Sequence, residues 1–190
     1  SGIGSSTYAA MKVATQTNGK ILVWAAGNQG YSNPSPQGTA VVHDSALQGL
    51  SVTVVAINAT NGDGSGAKDG KIWSGSNRCG DAASYCIAAP GADVTFVGRE
   101  NGQTFYIGSG TSYAAPLVSG GLAIIKQEFS SLSNAQVVNR LFATALDSGE
   151  YSQTAIYGHG LMNLNAATAA VGDFRLIGGG TLLDDPNASY

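Results

Sequence analysis

Residues 21–28 read Ile-Leu-Val-Trp-Ala-Ala-Gly-Asn, and this stretch decides the fold class. Six apolar residues run without a break and then stop at Gly27-Asn28-Gln29-Gly30. A short strand with no polar alternation is one buried on both faces, as in a parallel sheet covered by helices on each side. The segment before it, residues 7–17, places Ala9, Ala10, Val13 and Ala14 on one side at helical spacing. It is stopped by Asn18-Gly19, residues that tolerate positive φ. Helix followed by buried strand predicts an α/β fold with a mostly parallel sheet between helices.

Working outward, residues 50–59 (Leu-Ser-Val-Thr-Val-Val-Ala-Ile-Asn-Ala) form a second strand. Residues 31–48, with Pro34, Pro36 and Gly38, are expected to be irregular, and residues 61–70 read as a polar surface loop. Shorter extended pieces are expected at 71–74, 88–91, 94–97 and 104–107. Residues 112–129 form a largely buried helix, whose Ala114, Ala115, Gly120, Gly121 and Ala123 allow close packing. Pro116 falls in its first turns, where a missing N–H does least harm. Ser133-Asn134-Ala135-Gln136 is a capping box opening a further helix, with Val137, Val138, Leu141, Phe142 and Ala145 at helical spacing. Residues 157–160 form a turn and 164–171 a last short helix. The division is residues 1–171 as one domain, which the resemblance described below makes a partial one, and 172–190, with Gly178-Gly179-Gly180, as a linker or tail.

Bulk composition narrows the function classes. The chain has 190 residues, enough for a sizeable core. Only 11% are charged, about half the typical share of roughly 25%. The net charge of −3 comes with no basic run to neutralise phosphates, which argues against a nucleic-acid partner. No apolar stretch approaches the ~20 residues of a membrane helix. No signal peptide is visible at Ser1, so a targeting segment is expected to have been removed or never to have belonged to the chain. Cys79 and Cys86 have six residues between them. They read either as a local disulfide, in an oxidising compartment, or as two free thiols; the disulfide is the expectation. Its short loop would contribute about 2 kcal/mol in the entropic account. A zinc site would need further ligands nearby, and none is present.

The chemistry centres on Gly110-Thr111-Ser112-Tyr113-Ala114-Ala115-Pro116. A helix N-terminus offers unpaired N–H groups and partial positive charge. A serine there can attack a carbonyl whose developing oxyanion those groups stabilise. Gly110 lets a substrate approach the backbone closely. A serine before an apolar helix is nonetheless ordinarily just a cap, so Ser112 alone decides nothing. Asn28, ending the buried strand, could donate to an oxyanion through its amide, or serve only as a turn residue.

Four motifs occur in order: the run ending Ala-Ala-Gly-Asn28, Ala89-Pro90-Gly91, Gly110 to Pro116, and Tyr157-Gly-His-Gly-Leu161. On these the chain resembles the subtilisin-like serine proteases, the subtilases, over about residues 7–171. The resemblance implies a serine endopeptidase forming an acyl-enzyme at Ser112. It makes the Asn28 side chain and the Ser112 backbone N–H the oxyanion donors. It makes Ala25, Ala26 and Gly27, with Gly110, the substrate-binding wall. The equivalent asparagine in subtilisin is worth about 10²–10³ in rate, a scale belonging to that enzyme. Ser76-Asn77-Arg78-Cys79-Gly80, leading to Cys86 and Ala89-Pro90-Gly91, is more narrowly similar to secreted autotransporter subtilases of Gram-negative bacteria. That implies a secreted or cell-surface bacterial protein.

The resemblance also implies what is not here. Subtilases order their triad Asp, His, Ser. Only 27 residues precede Asn28, and they hold neither Asp nor His. The expected fold therefore lacks the N-terminal strands and helices of the family. His43, in Val-Val-His-Asp, and His159, in a late turn, match no family base position, and adjacent His43-Asp44 does not build a dyad. A serine hydroxyl without a base is a weak nucleophile, and removing the base costs about 10⁶ in subtilisin. The chain alone is expected to be nearly inactive. It is then a fragment with a companion bearing Asp and His, a truncation, or a non-catalytic peptide-binding or structural relative. The expected partners are peptide or protein substrates together with that companion or a second copy, since missing strands would leave an open sheet edge and apolar surface. No cofactor is expected. Asp63 and Asp69 could touch calcium, as many subtilases bind it, but the spacing matches no calcium loop and a solvated turn is favoured. Asn58-Ala-Thr60 and Asn187-Ala-Ser189 fit a glycosylation pattern that means little in a bacterial source.

Overall fold

A computed structural model of the chain describes residues 3–58, 69–97 and 104–170. The tail 172–190, the loop residue Asp63 and both glycosylation-like tripeptides in whole or part lie outside the described residues. Three parallel strands form the central sheet in the order β1-β2-β3: β1 Leu22–Ala25, β2 Ser51–Asn58 and β3 Cys86–Ala92. Leu22 pairs with Ser51 and Ala25 with Val54; Thr53 pairs with Cys86 and Ile57 with Pro90. The apolar runs Leu22–Ala25 and 54–57 are explained by cover on both faces, and the buried Thr53 hydroxyl is satisfied by the Gly38 carbonyl at 2.8 Å. Along β2, Val52, Val54 and Ala56 point to one side and Val55 and Ile57 to the other, all buried.

The first side packs on α3 (Thr111–Glu128) and α4 (Asn134–Ala143). There Ala114, Val118, Leu122, Ile125, Val137, Val138 and Leu141 join Ile87 and Ala89 of β3. The second side buries Ala26, Cys79, Cys86, Ala88 and Tyr157. A further cluster of Met11, Ala40, Val41 and Leu47 sits under α1 (Ser5–Lys12) and α2 (Pro36–His43), with Leu22 and Trp24 of β1 against it. The described residues also form an antiparallel pair, β4 (Val94–Val97) and β5 (Phe105–Gly108), two short helices, α5 (Thr154–Tyr157) and α6 (Leu164–Thr168), and 3₁₀ turns at Ser45–Leu47, Gly80–Tyr85 and Gly149–Ser152. Among the described residues β1 pairs on one side only. No helix among them is long and apolar enough to cross a membrane.

The expected α/β architecture is the observed one, with differences of detail. The helix expected over 7–17 starts at Ser5 and widens into a π-helical turn over Val13–Thr17. Thr15, buried there, donates its hydroxyl to the Met11 carbonyl at 3.1 Å and so competes for helix acceptors. Residues 31–48 are not wholly irregular. Pro36 opens α2 at a position that needs no N–H. Gly38 then lets that helix close onto the sheet, since a Cβ there would lie 2.9 Å from Pro34 and 3.0 Å from Thr53. Proline and glycine, read as breakers, are here a helix start and a packing contact. Of residues 71–74, only Ile72 pairs, in an isolated bridge to Ile57. The capping box forms as expected: Ser133 Oγ accepts from the Gln136 N–H, and Gln136 Oε1 accepts from the Ser133 N–H at 2.8 Å.

Candidate active site

Parallel strands all end on one side of a sheet, and α/β folds gather functional groups at those carboxyl ends. β1 ends at Ala25, three residues before Asn28. β3 ends at Ala92, and Gly110, just before α3, donates its N–H to the Gly91 carbonyl at 2.7 Å. The start of α3 is thereby clipped to the end of β3. Only glycine fits at 91, where a Cβ would lie 2.7 Å from Ala56 Cβ and 2.9 Å from the Gly110 carbonyl.

Thr111, wholly buried, then ties α3 to the end of β1. Its backbone N–H donates to Asn28 Oδ1 at 2.8 Å and its hydroxyl donates to the same oxygen at 2.9 Å. The Thr111 hydroxyl also accepts the Gly27 N–H at 3.1 Å. With Oδ1 occupied twice, the Asn28 amide has one orientation, and Nδ2 is the atom left to donate. Gly110 keeps that face open, since a Cβ there would approach Asn28 Nδ2 to 3.2 Å. Both Asn28 and Ser112 are exposed. Ser112 is the second residue of an 18-residue helix, so its N–H has no acceptor one helical turn back and sits at the positive end of the macrodipole. An exposed hydroxyl there can attack a carbonyl, and the oriented amide donor and the helix-terminal N–H can hold the oxyanion that results.

The other sequence-derived residues sit as follows. Ala25 and Gly27 are half-buried, and Ala26 is fully buried, its carbonyl accepting from the Ser35 N–H at 2.7 Å and Asn77 Nδ2 at 2.9 Å. Cys79 and Cys86 form a disulfide, both buried, with Cα atoms 5.7 Å apart. His43 is exposed in the last turn of α2. Asp44 beside it pairs with Lys12 at 3.1 Å and caps the Ala46 N–H at 3.0 Å; the hydrogen bond from Lys12 first, and that from Ala46 second, hold its carboxyl below the usual range. The His159 ring stacks on Phe142 at 4.2 Å, with Nε2 3.0 Å from the Ser84 carbonyl. Among the described residues neither histidine shares a hydrogen bond or ion pair with Ser112. Asp69 accepts from Asn58 Nδ2 at 2.9 Å and from the Lys71 N–H at 3.0 Å, and the Asn58 bond first among these holds its carboxyl low. Sequence reading gave Thr111 no role. Its one legible signal was a hydroxyl residue directly before the serine.

A doubly covered parallel sheet, with a serine at a helix N-terminus and an asparagine amide fixed beside it, defines the subtilisin-type serine protease fold. The chain belongs to the subtilase family (peptidase S8), whose family model matches residues 1–160. It is 33% identical over 152 residues to serotype-specific antigen 1 of Mannheimia haemolytica, covering 77% of this chain and 15% of that protein. It is 33% identical over 165 residues to subtilisin Savinase of Lederbergia lenta, covering 77% of this chain and 60% of that protein. The Neisserial autotransporter lipoprotein NalP of Neisseria meningitidis serogroup B is 25% identical over 168 residues, covering 85% and 15%. Among solved structures, the prenylagaramide maturation protease PagA superposes with a TM-score of 0.66 at 23% identity, over 88% of this chain and 56% of that one. The chain thus spans between 15% and 60% of the length of these relatives.

Proposed function

We propose that the protein to which this chain belongs is a serine endopeptidase of the subtilisin type, acting outside the cell. The single observation that carries this is the locking of the Asn28 amide by Thr111 next to the exposed Ser112. Ser112 Oγ attacks the scissile carbonyl and its proton passes to a histidine base supplied from beyond this chain. Asn28 Nδ2 and the Ser112 N–H hold the oxyanion. The base returns the proton to the leaving amine, and water then hydrolyses the acyl-enzyme by the same route. The half-buried Ala25 and Gly27, together with Gly110, form the wall for the substrate residue before the scissile bond, with the fully buried Ala26 behind them.

The base and its aspartate sit on a companion segment that docks against β1. Three features support this. β1 has an open edge among the described residues. Beside it lies a groove of about 270 Å³ lined by Lys20, Ile21, Val23, Ser119, Leu122 and Ala123. On α3, Leu117 and Ile124 remain 44% and 48% exposed, large apolar side chains of the kind that a further layer covers. The autotransporter relative and the disulfide favour an oxidising, extracellular setting.

The test is labelling with a fluorophosphonate probe. The full-length protein is expected to label at Ser112 rapidly, the Ser112→Ala variant not at all, and residues 1–190 alone only slowly. A folded full-length protein that binds peptide but never labels would replace this reading with a non-catalytic binding module.

A further inference from the structure

Asn77 lies between β2 and β3, far in sequence from both Asn28 and Ser112, and is 1% exposed. Its hydrogen bonds converge on one short loop. Oδ1 accepts the N–H groups of Gln29 at 3.1 Å and Tyr31 at 3.0 Å. Nδ2 donates to the Ala26 carbonyl at 2.9 Å and to Gln29 Oε1 at 3.3 Å. Its backbone N–H donates to the Gly27 carbonyl at 2.9 Å. Residues on both sides of Asn28 are thus gripped by one side chain and its own backbone. The fit is close: a Cβ on Gly27, whose φ is +109°, would lie 2.5 Å from Asn77 Nδ2.

Asn77 is itself held by the sheet. Ser76 Oγ accepts the Ala56 N–H of β2 at 3.0 Å and donates to the Asn77 carbonyl at 2.8 Å. Two residues further on, Cys79 is bonded to Cys86 at the start of β3. A rigid path therefore runs from β2 and β3 through Asn77 to the loop that presents Asn28. Thr111 sets which way the amide faces; Asn77 sets where its Cα stands.

We propose that Asn77 is a positioning residue for the oxyanion donor Asn28. This rests on the reading of Asn28 as that donor. Catalytic electrostatics demand donors fixed before the reaction, and a displacement of about 1 Å can cost about 10²-fold. A loop staple with no catalytic consequence would use the same bonds, so the test must separate the two.

The experiment is a double-mutant cycle in the full-length protein, measuring kcat and KM on a peptide substrate. Asn28→Ala is expected to lower kcat by about 10²–10³-fold. Asn77→Ala is expected to lower kcat by about 10²-fold, a larger change than any rise in KM from the neighbouring substrate wall. The double variant is expected to show a kcat no lower than that of Asn28→Ala alone, because no amide remains to be positioned at the oxyanion; any effect of the Ala26 and Gly27 contacts on substrate binding falls on KM. Asn77→Asp, which keeps the two Oδ1 acceptances and the side-chain shape, repeats the cycle if Asn77→Ala does not fold. Should Asn77 variants keep wild-type kcat, or slow the wild-type and Asn28→Ala backgrounds by the same factor, the positioning role is overturned. If Asn28→Ala itself leaves kcat unchanged, it is the oxyanion assignment that fails, and Asn77 then has no donor to position.

Discussion

Replacing Thr111 by valine removes one oxygen and keeps the shape of the side chain, so it isolates the hydroxyl at the junction of α3 and β1. Two bonds go: the 3.1 Å acceptance from the Gly27 N–H and the 2.9 Å donation to Asn28 Oδ1. The 2.8 Å bond from the Thr111 N–H to Asn28 stays. Leaving a buried donor unpaired costs about 1–3 kcal/mol, and the added methyl returns up to about 0.8 kcal/mol of apolar burial. The net loss is then about 1–2 kcal/mol. It should appear as a lower urea midpoint at constant m-value. The amide of Asn28 keeps one of its two anchors, so kcat should fall about tenfold, equivalent to about 1.4 kcal/mol of transition-state stabilisation. Thr111→Ser retains the hydroxyl and both bonds and is expected to hold kcat near wild type. If valine and serine variants show the same kcat, the hydroxyl does not orient Asn28 and the reasoning is wrong.

Two further perturbations probe the frame behind the site. Gly158 has φ +64° and ψ −118°, and a Cβ on it would lie 2.1 Å from the Cys86 carbonyl. Gly158→Ala is expected to cost at least about 2 kcal/mol from the backbone conformation alone, seen as a fall in Tm; an unchanged Tm would refute it. Tyr157 is fully buried, its hydroxyl accepting the Ile72 N–H at 3.0 Å and donating to Glu150. Burial first, and the bond to Glu150 second, push its pKa up to about 12 from 10.0. Between those values the unfolded chain releases the phenol proton while the folded chain keeps it, so stability declines as pH rises through that window. Because Glu150 is partly exposed, the loss is set at roughly 1–2 kcal/mol. Tyr157→Phe is expected to be less stable at neutral pH yet to show a shallower slope in unfolding measurements from pH 9 to 12, the remainder coming from Tyr151, whose phenol pKa is also raised by burial. Parallel slopes in the two proteins would remove Tyr157 as the cause.

Much of this protein was written in local pattern. The unbroken apolar runs at 22–25 and 54–57 required a sheet covered on both faces, because a solvent-facing side would have demanded alternation. Ser133 and Gln136 announced the start of α4, since a capping box is complete within four residues. Of the small residues after Ser112, Ala114 and Gly121 mark the packed side of α3, whereas Gly120 and Ala123 are exposed, so the helix is open on one side rather than largely buried. The strand and cap readings succeed because hydrogen bonds and side-chain periodicity between near neighbours are fixed by the chain itself. What only the tertiary structure decided are meetings between distant segments. Thr111 and Asn28 are 83 positions apart, and Asn77 reaches Gln29 across 48. No pattern in either stretch announces the other, because the bonds exist only once β1, β2 and β3 lie in register and bring their carboxyl ends together. The sequence by itself supplied Ser112 and Asn28 as candidates; the sheet, acting through Thr111 and Asn77, decided which atom of Asn28 is free to act beside Ser112.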